Sequence, residues 1–127
     1  AQTAKKVSRA FDDALAERGG SGPVWLILLS LMRAGSLTHA ELAAQVGIKG
    51  PTLTHHLDGL TDRGLITRER LSDNRRTQVA ALTEKGEALF HQLRKAAQVH
   101  DARLRRGLSE KEQAELRRLL HKLGGNV

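Results

Sequence analysis

Apolar positions recur at steps of three and four residues through most of the chain, and the points where that rhythm stops divide it into helices. Val7, Ala10, Phe11, Ala14 and Leu15 predict an amphipathic helix over residues 3–18, ended by the run Gly19, Gly20, Ser21, Gly22 and Pro23. Residues 24–33 are apolar nearly all round, which predicts a helix buried on most sides with Trp25 as its large anchor. Thr38 and Glu41 have the spacing at which each side chain satisfies a backbone N–H left unpaired at a helix start. The helix they open shows Ala40, Leu42, Ala43 and Val46 on a small-residue face, and Gly47 stops it. Another begins near Lys49, where Pro51 is tolerated because first-turn N–H groups lack helical partners, and Leu53, Leu57 and Leu60 bury one side.

The rhythm then changes. Gly64 ends that helix, and residues 65–70 and 77–82 read as paired strands about the polar turn Ser72, Asp73, Asn74, Arg75 and Arg76. Helical spacing resumes after Thr83, with Leu89, Leu93, Ala96, Ala97, His100 and Leu104 forming a stripe long enough to reach beyond one small domain. Ser109 and Glu112 repeat the capping pair, and Leu116, Leu119, Leu120 and Leu123 share one face before Gly124 and Gly125. The expected fold is mainly α with a small β-hairpin: one domain over residues 1–127, a winged helix-turn-helix core over 24–83, and flanking helices over 1–18 and 84–125.

This order of elements carries a functional reading. The polar residues facing outward from the second helix of the pair are Lys49, Thr52, Thr54, His55 and Asp58, on the turns where helix-turn-helix motifs meet base edges in the major groove. Two short helices packed into a core would show the same apolar pattern, but a hairpin directly after them is a wing. A turn has use for Ser72, Asp73 and Asn74, and none for Arg75 and Arg76. At a wing tip those arginines would lie over the DNA backbone and the adjacent minor groove, where the negative potential favours them, with Asp73 placed to orient one.

Composition narrows the picture. Two Phe, one Trp and no Tyr in 127 residues leave a core of Leu, Ala, Val and Ile, thin for a monomer. Without Cys there is no disulfide, no thiolate metal site and no cysteine redox chemistry. The longest apolar run, VWLILLSLM, is far short of a membrane span, so a soluble, cytoplasmic protein without membrane partners is expected. The net charge of +7 and pI near 10.6 suit a polyanionic partner. Residues 1–46, 47–83 and 84–127 contribute +1, +2 and +4, so net charge does not locate the binding face. Local clustering does: Arg63, Arg68, Arg70, Arg75 and Arg76 crowd one short stretch.

From Trp25 to Leu89 the chain resembles the MarR family of bacterial winged-helix transcription regulators. The resemblance rests on LTHAELAAQVGIKGPTLTHHLDGLTDRGLI and DNRRTQVAALTEKGEALF: an Asp-x-Arg-Arg wing, a Gly-Leu-Ile after the second helix, and Leu82-Thr83-x-x-Gly86 leading into a long helix, all in order. It implies a homodimeric, sequence-specific repressor on a pseudo-palindromic double-stranded operator. By the same resemblance the DNA-contacting positions are Lys49, Gly50, Thr52, Thr54 and His55 on the helix and Asp73, Arg75 and Arg76 on the wing. His55 stands where many members carry Arg, and Gly50 and Gly59 where many carry a basic residue, which implies a weaker grip from this helix. The flanking helices would interleave with a second subunit, as the thin core also asks. A small aromatic or phenolic effector would sit between them and the core near Phe11, Leu15, Trp25 and Leu29, with Arg9, Arg18 or Arg33 to meet its charge.

Other chemistries find little support. There is no P-loop, no dinucleotide fingerprint and no Ser-His-Asp arrangement, so an enzyme and a cofactor are not expected. Of the histidines only His55 and His56 are close in sequence, and their side chains diverge on a helix, so no metal site is expected. Two competing readings remain: a winged-helix protein-interaction module that has lost DNA binding, and an RNA-binding winged helix.

Overall fold

The computed structural model describes residues 2–71 and 74–126, and the side chains of all of these except 74–76. Among the described residues the order is α1 (Gln2–Ala16), α2 (Gly22–Ala34), β1 (Ser36–Thr38), α3 (His39–Val46), α4 (Gly50–Asp62), β2 (Ile66–Leu71), β3 (Asn74–Leu82), α5 (Glu84–Arg105) and α6 (Glu110–Gly125). The strands form one antiparallel sheet in the order β1-β3-β2.

The core is as aliphatic as the composition demands. Leu15, Ile27, Leu28, Leu42, Leu53 and Leu93 are fully buried, and Phe90 stacks on the half-buried Trp25 with ring centroids 5.5 Å apart. α2 packs against α1, α3, α5 and the sheet through Val24, Ile27, Leu28 and Leu31. Leu26 and Met32 are its exposed large apolar residues, at 43% and 38%. α2 is thus covered on most sides, as expected, with Leu26, Met32 and Arg33 the exposed positions between Val24 and Arg33.

Caps and breakers act where the sequence places them. Thr38 Oγ1 accepts from the Glu41 N–H at 3.2 Å while the Glu41 carboxylate accepts from the Thr38 N–H at 2.9 Å. The Thr38 backbone N–H first, and the Thr38 hydroxyl second, hold the exposed Glu41 carboxyl below its ordinary value. Ser109 and Glu112 do the same for α6. Gly47 closes α3 at φ 68°, a left-handed conformation that costs other residues free energy.

Two features depart from the expected strands. β1 pairs with β3 in register Ser36↔Ala81, Leu37↔Ala80 and Thr38↔Val79, so the wing is three-stranded and ties the start of α3 to the hairpin. β3 begins at Asn74, which puts Asn74, Arg75 and Arg76 on a strand rather than in the turn. The ladder is irregular there: Arg70 faces Gln78 while its neighbour Leu71 faces Asn74, leaving residues 75–77 as an insertion on β3.

The end of α4 and the start of α5 are locked together. A Cβ at Gly86 would overlap the Leu65 carbonyl oxygen, so only glycine permits this approach. Thr83 Oγ1 donates to the Gly64 carbonyl at 2.7 Å and Lys85 Nζ to the Arg63 carbonyl at 2.8 Å. α6 is the opposite case, since none of its described residues is buried.

Candidate nucleic-acid interface

α4 owes its orientation to three leucines. Leu53, Leu57 and Leu60 recur at steps of four and three, and all are at most 2% exposed. The opposite face, with Thr52, Thr54, His55 and Asp58, is left in solvent. Lys49 is the N-cap, its backbone extended and its side chain making no capping bond. Gly50, half-buried, opens the first turn beneath the His39 ring, whose Cε1 would be 3.9 Å from an added Cβ. Five residues expected to contact DNA, Lys49, Gly50, Thr52, Thr54 and His55, thus share the first turns of one helix.

The polar network around them is richer than spacing revealed. Thr54 Oγ1 donates to the Gly50 carbonyl at 3.0 Å and lies 3.1 Å from Nε2 of His39, the first residue of α3. Asp58 does not simply face solvent: its carboxylate pairs with Arg68 of β2 at 2.7 Å, joining α4 to the wing. Both partners are partly exposed, so the pair adds only about 0–1 kcal/mol to stability, and its effect is chiefly geometric. Arg63, though exposed, reaches across the fold, donating from Nη2 to the Gly19 carbonyl at 3.0 Å. The arginine cluster therefore serves the fold as well as the surface. On the wing, Asp73 lies outside the described residues, as do the side chains of Arg75 and Arg76.

A MarR family sequence profile matches residues 21–77, the stretch from the cap of α2 into β3. CouR, solved as a transcriptional repressor bound to a 23-mer DNA duplex, superposes with a TM-score of 0.89 at 27% identity, over 97% of this chain and 87% of its own. A cysteine-to-serine variant of E. coli MarR complexed with operator DNA gives 0.86 at 25% identity, over 96% and 88%. The chain is thus similar to the MarR family in sequence over residues 21–77 and in fold over nearly its whole length. Members of that family are transcription regulators of winged-helix fold. BpsR of Bordetella bronchiseptica, whose DNA binding is regulated by 6-hydroxynicotinic acid, shares the fold at 19% identity, with a TM-score of 0.86 over 97% of this chain and 88% of its own.

The four residues expected to wall an effector site, Phe11, Leu15, Trp25 and Leu29, do not converge on one place. Trp25 and Leu29 line a crevice of about 500 Å³ between α2 and α5, together with Met32, Phe90 and Ala97. Arg33 and Arg94 stand on its rim with His91 and Asp101. Leu15 is fully buried in the core, and Phe11 packs against His100, ring centroids 5.1 Å apart, beside a separate shallow groove. Of the expected cations, Arg33 reaches the crevice, Arg18 hydrogen-bonds Gln92, and Arg9 borders a groove on α1. Arg94 was missed because only the packing of α5 on α2 brings it there. No group of three metal-ligating side chains occurs among the described residues, and no helix there is long and apolar enough to cross a membrane.

Proposed function

We propose that this chain is a dimeric transcription repressor that binds a pseudo-palindromic operator, with α4 in the major groove and the wing on the flanking backbone. The observation that carries the reading is the division of α4: leucines fix one face to the core, while Thr52, Thr54 and His55 are exposed on the other. The DNA complexes of CouR and E. coli MarR support it. Lys49, Arg75 and Arg76 supply phosphate contacts, and Asp73 orients a wing arginine.

Dimerisation follows from the other uncovered surface. Leu116, Leu119, Leu120 and Leu123 of α6 are 43–63% exposed, and Leu104 of α5 lines a groove with Leu116 and Leu120. A second copy would cover this apolar face, and its two-fold axis would space the two α4 helices one turn of DNA apart. The crevice beside Trp25 suits a small aromatic or phenolic acid, its ring against Trp25 and Phe90 and its carboxylate on Arg33 or Arg94. Such a ligand releases DNA to the extent that it prefers a dimer whose α4 helices are mis-spaced.

Salt titration of binding to duplex DNA tests the reading. We expect log affinity to fall linearly with log salt, by about 0.9 for each phosphate neutralised. Absence of salt-dependent duplex binding would return the fold to the role of a protein-interaction module.

A further inference from the structure

The contact between His39 and Thr54 joins the two helices of the motif at the surface assigned to DNA. Two oxygens, Thr54 Oγ1 and the Gly50 carbonyl, lie 3.0 Å apart, and the carbonyl can only accept. The single hydroxyl proton of Thr54 therefore lies between them. His39 Nε2, 3.1 Å from the same hydroxyl, then has no proton to receive and must carry its own. The chain of donors runs from His39 Nε2–H to Thr54 Oγ1 and from Thr54 O–H to the Gly50 carbonyl. One lone pair of an exposed hydroxyl remains for any partner outside.

We propose that His39 is a specificity-positioning residue: by donating to Thr54 it fixes that hydroxyl as an acceptor, so that Thr54 selects a base with a major-groove amine, adenine N6 or cytosine N4. A freely rotating threonine can donate to guanine O6 or thymine O4 as readily as it accepts from an amine. Here donation outward would break the bond to Gly50 and turn a Thr54 lone pair onto that carbonyl oxygen, and the His39 N–H, by polarising the hydroxyl, strengthens the bond that would be lost. Discrimination by Thr54 is thus determined from α3, by a side chain that need not touch the base. The inference rests on the assignment of α4 to the major groove.

The test has two arms. In the free protein, long-range proton–nitrogen NMR should find His39 as the Nε2–H tautomer, and Thr54→Val should perturb its Nε2 resonance; an Nδ1–H tautomer overturns the proposal. In the second arm, duplexes are selected from a random pool by the wild-type chain, and binding is measured to the selected duplex and to each single-base-pair change of it. Thr54→Val should lose about three- to tenfold discrimination at one base pair that presents an amine. His39→Phe should lose it at that same pair with binding to unselected DNA unchanged. His39→Gln, whose amide nitrogen replaces Nε2, should restore it. Uniform loss across all duplexes in His39→Phe would make His39 merely structural and remove this proposal alone, whereas a wild-type chain that selects no duplex removes the assignment of α4 to DNA itself.

Discussion

α4 and α6 are both short helices with leucines at steps of three and four, yet their leucines end in opposite environments. Leu53, Leu57 and Leu60 of α4 are at most 2% exposed, while Leu116, Leu119, Leu120 and Leu123 of α6 are 43–63% exposed. Such a stripe states that a face needs cover; it does not state who supplies it. For α4 the same chain does, through α3 and the sheet. The faces left open differ in turn: polar on α4, apolar on α6, and so suited to partners of opposite chemistry.

The comparison can be broken most directly at the leucines themselves. Leu53→Ala should cost about 2–5 kcal/mol in denaturant unfolding, because a fully buried side chain leaves a cavity, and the loss should not depend on protein concentration. Leu120→Glu should instead convert a sedimenting dimer to monomer, and its loss of thermal stability should depend on concentration. If Leu120→Glu left the dimer intact, α6 would need another explanation. On the polar side, Arg75→Ala with Arg76→Ala should reduce the magnitude of the salt slope by about one to two units, each lost phosphate contact contributing roughly 0.9. An unchanged slope would confine DNA contact to α4.

The smallest effect concerns the helix starts. Glu41 and Glu112 both have carboxyls held below the ordinary 4.5 by bonds from their capping partners. A folded value below the unfolded one means that the caps contribute fully above the ordinary glutamate range and lose that contribution as pH falls through the folded value. The protection of the Ser109 amide, its exchange rate taken relative to the intrinsic rate at the same pH, should therefore fall in acid, and Glu112→Gln should flatten that dependence. α3, anchored by β1 and the buried Leu42, should show less opening than α6 under the same acidification.

What the sequence revealed was local. The capping pairs, the leucine stripes and the glycines that end α3 and α4 depend on residues a few positions apart, and the helices formed within a few residues of their expected limits. β1 was invisible because Ser36, Leu37 and Thr38 form a strand only by pairing with residues 79–81. Arg63 and Arg68 looked like free surface charge, since their partners Gly19 and Asp58 are joined to them by folding rather than by spacing. The crevice was half legible for the same reason: Trp25 and Leu29 lie on one face of α2, whereas Phe11 and Leu15 of α1 meet α5 and the core elsewhere. His39, at the start of one helix, gave no hint that it would lie against Thr54 on the next.

The seat of Gly86 against the Leu65 carbonyl also makes α5 a lever. Its 22 residues span ~33 Å, and one end is fixed beside the end of α4, by a contact that admits no side chain and by bonds to Gly64 and Arg63. With so little play at the fulcrum, a tilt of about 10° displaces the far end by about 6 Å, a simple projection of that length. In the proposed dimer the far ends are held by the partner, so the displacement appears instead as a change in the distance between the two α4 helices. The crevice beside Trp25 opens along the shaft of this lever, where a wedge of ring size would alter its angle.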